Sequence, residues 1–159
     1  IRDVYKRQGI VMDKLIEIIE RDLRMSDFII RKKGRTILKD YDISPAQFRT
    51  LQVIINHNDE MNLSELSEKM DMACSTVTET LKRMEKLELV KREKDEKDAR
   101  FIKISALPKG HDIINSVIKI RREYLQEVLG ALTREEHESL AKNLEKLVSE
   151  LQKTKSEFM

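Results

Sequence analysis

The sequence predicts a mainly α chain built around a winged helix-turn-helix, with a small antiparallel wing sheet and a helical arm formed by the N- and C-terminal helices. Three observations lead there. Two short amphipathic segments, 62–70 and 74–88, are separated only by Asp71-Met72-Ala73, which is the pattern of helix, tight turn, helix. Directly after them, Leu89-Val90-Lys91-Arg92 and Phe101-Ile102-Lys103-Ile104 read as strands flanking a run of charge from Glu93 to Arg100. The composition, 38% charged and 4% aromatic with four Gly and two Pro, favours helix over sheet.

Taken in order, Ile1 to Gln8 is basic, unpatterned and similar to translated adapter sequence. Residues 1–11 are therefore set apart as extraneous or disordered, with the natural protein expected to start near Met12. A long helix is predicted from Asp13 to about Lys39. Leu15, Ile16, Ile19, Leu23 and Ile30 recur at helical spacing, while Met25, Phe28 and Ile29 lie partly off that stripe. So wide an apolar arc suits more than one neighbour. Asp40-Tyr41-Asp42 is a connector. In Ser44-Pro45-Ala46-Gln47, Ser44 caps a helix, Pro45 takes the first helical position and Gln47 completes a capping box. That helix turns Phe48, Leu51, Ile54 and Ile55 inward and ends near His57-Asn58-Asp59. Met61 offers a strand residue to pair with the wing.

Asn62-Leu63-Ser64-Glu65 forms a second capping box, and Leu63, Leu66 and Met70 share one face. From Cys74 to Glu88 the next helix puts Val77, Leu81, Met84 and Leu87 inside and Ser75, Thr76, Thr78, Glu79, Lys82 and Arg83 outside. Such a second helix suits a DNA major groove. Beyond the wing, Pro108 starts a helix lined by Ile114, Val117, Ile118, Tyr124, Leu125, Val128 and Leu129, which Gly130 ends. Thr133-Arg134-Glu135-Glu136 caps the last helix. Its His137, Leu140, Leu144, Leu147 and Leu151 recur by three and four, a seam of coiled-coil type. The expected divisions are 12–43 for the N-terminal helix, 44–107 for the winged head and 108–159 for the C-terminal helices.

A length of 159 residues suits one domain, or one domain with a dimerisation arm. At 40% apolar residues the core is lean, so burial against a second copy is expected, with Leu15, Ile19, Leu125, Leu129, Leu140, Leu144, Leu147 and Leu151 at the contact. The net charge of +2 decides nothing, yet Lys82 to Lys103 holds nine bases against six acids. One Cys excludes an internal disulfide framework and fits a reducing cytoplasm. No apolar run is long enough to span a membrane, and no signal-peptide pattern is present. His57, His111 and His137 are not paired at helical spacing, so no metal set is expected. Without a Gly-rich phosphate loop or a nucleophile–base pairing, neither an enzyme nor a cofactor is predicted.

These residues carry a resemblance. Leu63-Ser64-Glu65-Leu66, Ser75-Thr76-Val77-Thr78, Asp98-Ala99-Arg100 and Lys109-Gly110 stand in the order and spacing of the MarR family of bacterial transcription regulators. Ser44 to Phe48 upstream and Ala131-Leu132-Thr133 with Glu135-Glu136 downstream extend it to nearly the whole chain after residue 11. The resemblance implies a homodimer that binds double-stranded DNA at a pseudo-palindromic operator, acting as a repressor. It also implies release by a small, partly apolar effector, or by oxidation, in a cleft between dimer arm and reading head. Phe28, Tyr41 and Phe48 are the candidate lining residues, and equally ordinary core.

On the matching positions, Ser64, Cys74, Ser75, Thr76, Thr78, Glu79, Lys82 and Arg83 would face DNA. Short hydroxyls reach base edges or phosphates. In the wing, Lys97 would meet phosphate and Arg100 would enter the minor groove, held extended by Asp98. Three departures from the family pattern stand out. Ala73 replaces the usual capping Ser, leaving part of that role to Ser75. Lys82 replaces an acid that pairs with the wing Arg, and Ala106-Leu107 replaces Leu-Thr before the next helix.

Two rival readings keep the fold. Cys74 begins a helix, where a thiol pKa tends to fall, so a redox-responsive regulator is one; sensing relatives carry their Cys near the N-terminus instead. The other is a winged-helix protein-interaction module without DNA binding, which would not need Arg100, Lys97 or the exposed hydroxyls.

Overall fold

The computed structural model describes the backbone of residues 2–58, 60–94 and 102–157, and within those ranges the side chains of 12–154. The chain runs α1 (Arg2–Lys39), α2 (Pro45–Asn56), β1 (Glu60–Asn62), α3 (Leu63–Met70), α4 (Cys74–Lys86), β2 (Val90–Lys94), β3 (Ile102–Ala106), α5 (Pro108–Leu129) and α6 (Arg134–Glu157). It divides into two compact units, 1–118 and 119–159.

Most boundaries follow from local chemistry. Ser44 Oγ accepts the Gln47 N–H at 3.2 Å while Gln47 Oε1 accepts the Ser44 N–H at 2.7 Å, so α2 starts on a full capping box with Pro45 in its first turn. Asn62 and Glu65 make the same reciprocal pair on α3, at 2.9 and 3.0 Å. Asp42, Asn58, Asp71 and Glu88 take left-handed φ values of 52° to 59° where the chain leaves a helix. Glu88 explains why α4 stops at Lys86 rather than continuing to Glu88 as the apolar spacing suggests. At the other end, α1 begins at Arg2, earlier than the Asp13 or Met12 expected from its apolar stripe.

The three strands form one antiparallel sheet in the order β1-β3-β2. Met61 is paired with Ile104, and both are buried. The expected contribution of Met61 to the wing sheet is therefore observed. Val90 faces the core at the base of the hairpin, paired with Ala106.

The core of the first unit joins the end of α1 (Ile37, Leu38) to Phe48, Leu51 and Ile54 of α2, Leu66 and Met70 of α3, and Val77, Leu81 and Met84 of α4. Burying each such side chain contributes about 2 kcal/mol, so this core rather than any ion pair holds the platform together. Gly110 marks its tightest approach. A Cβ there would lie 2.6 Å from the Leu89 carbonyl oxygen and 2.9 Å from Leu51 Cδ2, so only glycine fits between the entry to the wing and α2.

In the second unit, the rest of α5 reaches Gly130 and a short turn leads to α6. Thr133 and Glu136 cap α6 reciprocally, at 3.3 and 2.8 Å. Leu125, Leu140, Leu144 and Leu151 are exposed in the single chain, while Leu129 and Leu147 are half-buried.

Candidate nucleic-acid interface

Helix α3, the left-handed Asp71, and α4 make the predicted helix-turn-helix. The Asp71 N–H bonds back to Glu68 O and the Met72 N–H to Ser67 O at 3.1 Å, which closes α3 and turns the chain. Helix α4 starts at Cys74 with Ala73 at its cap position and no side-chain hydrogen bond there, so Ser75 does not take over the capping role expected of it. A helix start without a side-chain cap leaves its first N–H groups to attract an anion such as phosphate. Val77, Leu81 and Met84 bury the inner stripe. Cys74, Ser75, Thr76, Glu79, Lys82 and Arg83 are exposed, and Thr78 is half-buried at the edge of the same surface. Ser64 is also exposed, in the first turn of α3.

The electrostatics of this face are divided. Arg83 lies 3.5 Å from Glu79 on the same helix, a solvent-exposed pair that contributes little and opens at little cost. Lys82 makes no ion pair among the described residues. Thirteen residues of α4 span about 20 Å at 1.5 Å per residue, enough to lie along a groove.

Sequence reading missed three contacts between elements, and the first of them ties the wing to this helix. Arg92 Nη2 on β2 donates to Glu85 Oε2 on α4 at 2.5 Å. Lys109 Nζ, at the start of α5, donates to the Leu87 carbonyl at 2.9 Å and so caps the C-terminal end of α4. Lys103 pairs with Glu60 at 2.5 Å across β3 and β1. No sequence motif signals these pairs, because each joins different elements at a separation that only the fold makes short.

Lys97, Asp98 and Arg100 lie outside the described residues, so the wing tip's part in the interface is an expectation from sequence. The candidate effector residues fall in three different surroundings: Phe48 is 3% exposed in the core, Phe28 is 60% exposed on α1, and Tyr41 is half-buried in the turn between α1 and α2. Leu15 and Ile19 are exposed on α1. Among the described residues no group of three or more His, Cys, Asp or Glu side chains is placed to hold a metal ion, and no helix is long and apolar enough to cross a membrane.

Known proteins share this arrangement. The MarR family model matches residues 43–102, the stretch from the start of the winged head to β3. The uncharacterised HTH-type transcriptional regulator YsmB of Bacillus subtilis is 45% identical over 135 residues, which are 85% of this chain and 92% of that protein. A MarR family protein from Bacillus stearothermophilus superposes with a TM-score of 0.81 at 36% identity, covering 88% of this chain and 97% of the other. A MepR variant from S. aureus, bound to an oligodeoxyribonucleotide, superposes with a TM-score of 0.65 at 26% identity over 81% of this chain and 94% of the other. With an exposed polar recognition helix, a wing sheet beside it and this degree of similarity over most of its length, the chain belongs to the MarR family of helix-turn-helix transcription regulators.

Proposed function

We propose that the chain is a sequence-specific DNA-binding repressor that acts as a homodimer on a pseudo-palindromic operator and is released by a small, partly apolar ligand. The observation that carries the DNA-binding part is the surface of α4, where hydroxyls and cations stand exposed on one side of a helix whose start lacks a side-chain cap. The relative bound to an oligodeoxyribonucleotide supports the same reading. Ser64, Ser75, Thr76 and Thr78 supply close polar contacts, and Lys82 and Arg83 neutralise phosphates. Arg100, braced by Asp98, enters the flanking minor groove, with Lys97 on the adjacent phosphate. Exposed leucines on α1 and α6 support dimerisation.

On a two-fold dimer the recognition helices meet major grooves one turn apart, roughly 34 Å or about 10 base pairs. A binding titration over a randomised operator library at two salt concentrations tests the mechanism. Lys82→Ala is expected to weaken all sequences alike and flatten the salt slope by about one unit. Arg100→Ala is expected to cost about 1–3 kcal/mol at the operator and relax A·T preference in the flanks. Thr78→Ala should shift preference at inner positions instead. An Arg100→Ala protein that binds with the parent's affinity and flanking preference would remove the wing from the mechanism. Salt-independent or absent DNA binding by the parent would favour the protein-interaction reading.

A further inference from the structure

We infer that Arg92 and Glu85 are positioning residues that lock the wing to the recognition helix, so that the two read DNA as one body and sequence preference in the operator flanks depends on their contact. The inference rests on the DNA-reading function proposed above. Its basis is geometric. Val90, Arg92 and Lys94 alternate onto one face of β2: Val90 is buried, Arg92 half-buried and Lys94 exposed, so Arg92 stands where the apolar core gives out toward the wing tip. On α4, Glu85 lies three residues after Lys82 and seven after Thr78, which puts all three along one edge of the helix. The bond between Glu85 Oε2 and Arg92 Nη2 therefore ties the wing strand to the edge that carries two of the proposed DNA contacts.

Stability alone does not account for this pair. The side chains are only 23% and 31% exposed, so the desolvation of both charges offsets much of their attraction. Arg92 Nε is buried with no hydrogen-bond partner among the described residues, a cost that further offsets what the pair returns. What the contact does supply is direction. An antiparallel hairpin attached only through its base is free to twist and splay, and β2 leaves the core immediately after Val90. Arg92 lies two residues before the last described residue of β2, so it fixes the hairpin part-way to its tip. The Lys109 bond to Leu87 O secures the end of the same helix from the start of α5.

Two measurements on the full-length chain test this. In the free protein, spin labels at Thr76→Cys and Lys94→Cys in a Cys74→Ser background should give a narrow distance distribution that broadens on adding Arg92→Met. Equal widths would overturn the inference regardless of how DNA behaves. Over the randomised operator library, Glu85→Gln and Arg92→Met should lose about tenfold in discrimination at flanking positions. Inner, helix-read preference and melting temperature should stay those of the parent, and exchanging the charges (Glu85→Arg with Arg92→Glu) should restore part of the flanking preference. Folded single variants with the parent's flanking preference would overturn the inference and leave the DNA-reading function standing. A parent without any sequence preference would overturn both.

Discussion

Ser67 is 94% buried on the inner side of α3, exposure being 6%, and its Oγ has no hydrogen-bond partner among the described residues. A hydroxyl kept from water without a partner costs about 1–3 kcal/mol, and Ser is also the weaker helix former by about 0.5 kcal/mol. Ser67→Ala is therefore expected to raise the unfolding free energy in urea by about 1 kcal/mol or more and leave operator affinity unchanged. A loss of stability would mean that the hydroxyl has a partner in solution, such as a bound water. Cys74 is the opposite case, exposed at the first position of α4 and the only Cys of the chain, so no second thiol is at hand to resolve an oxidised form within one subunit. Cys74→Ser is expected to bind DNA and respond to peroxide as the parent does. Peroxide release that disappears only in the variant would establish the redox reading instead.

Caps decide how each helix starts, and α6 offers a pH test. The backbone N–H of Thr133 donates to Glu136, with the Thr133 hydroxyl as the second contributor, and these bonds hold the Glu136 carboxyl below its ordinary value of 4.5. A carboxyl depressed in the folded state adds stability above its unfolded pKa, and that contribution is lost as pH falls through the folded value. Hydrogen-exchange protection in the first turn of α6 should therefore drop as pH is lowered below 4.5 in the parent. Glu136→Gln should show less protection at neutral pH and little further change on acidification. If both proteins respond to pH alike, the capping box is not what holds that turn. By contrast α4 lacks a side-chain cap, and it is held by the burial of Val77, Leu81 and Met84 and by Lys109 at its far end. Helix α4 is thus positioned by packing and by its C-terminal contact rather than by a cap at its start.

At the scale of the whole molecule, large apolar side chains left uncovered on the terminal helices are the basis of the proposed dimer. Leu15, Ile16, Ile19 and Leu23 on α1 and Leu140, Leu144, Val148 and Leu151 on α6 are all more than a third exposed. Large exposed apolar patches mark association surfaces. Sedimentation at micromolar concentration is expected to show a dimer. Leu144→Glu combined with Leu147→Glu should give monomers or aggregates that do not bind the operator, because one winged head alone meets only one half-site. A double variant that is folded and binds DNA like the parent would refute the dimer.

What the sequence determined by itself was chiefly periodicity and cap chemistry encoded within about four residues. The capping boxes at Ser44, Asn62 and Thr133, the apolar stripes of α2, α3 and α4, the strands either side of the charged run, and the exposed hydroxyls of Ser75 and Thr76 were legible, because helix and strand periodicity and cap chemistry are local. The tertiary structure decided what depends on residues far apart in the chain. It placed Phe48 wholly in the core, whereas the end of α4 at the left-handed Glu88 and its uncapped start at Ala73 are local features that apolar spacing does not mark. It also brought Glu85 to Arg92 and Lys109 to Leu87. Those contacts exist only once α4, β2 and the start of α5 are packed around Gly110, since ionic and hydrogen-bonding partners on different elements leave no period in the sequence.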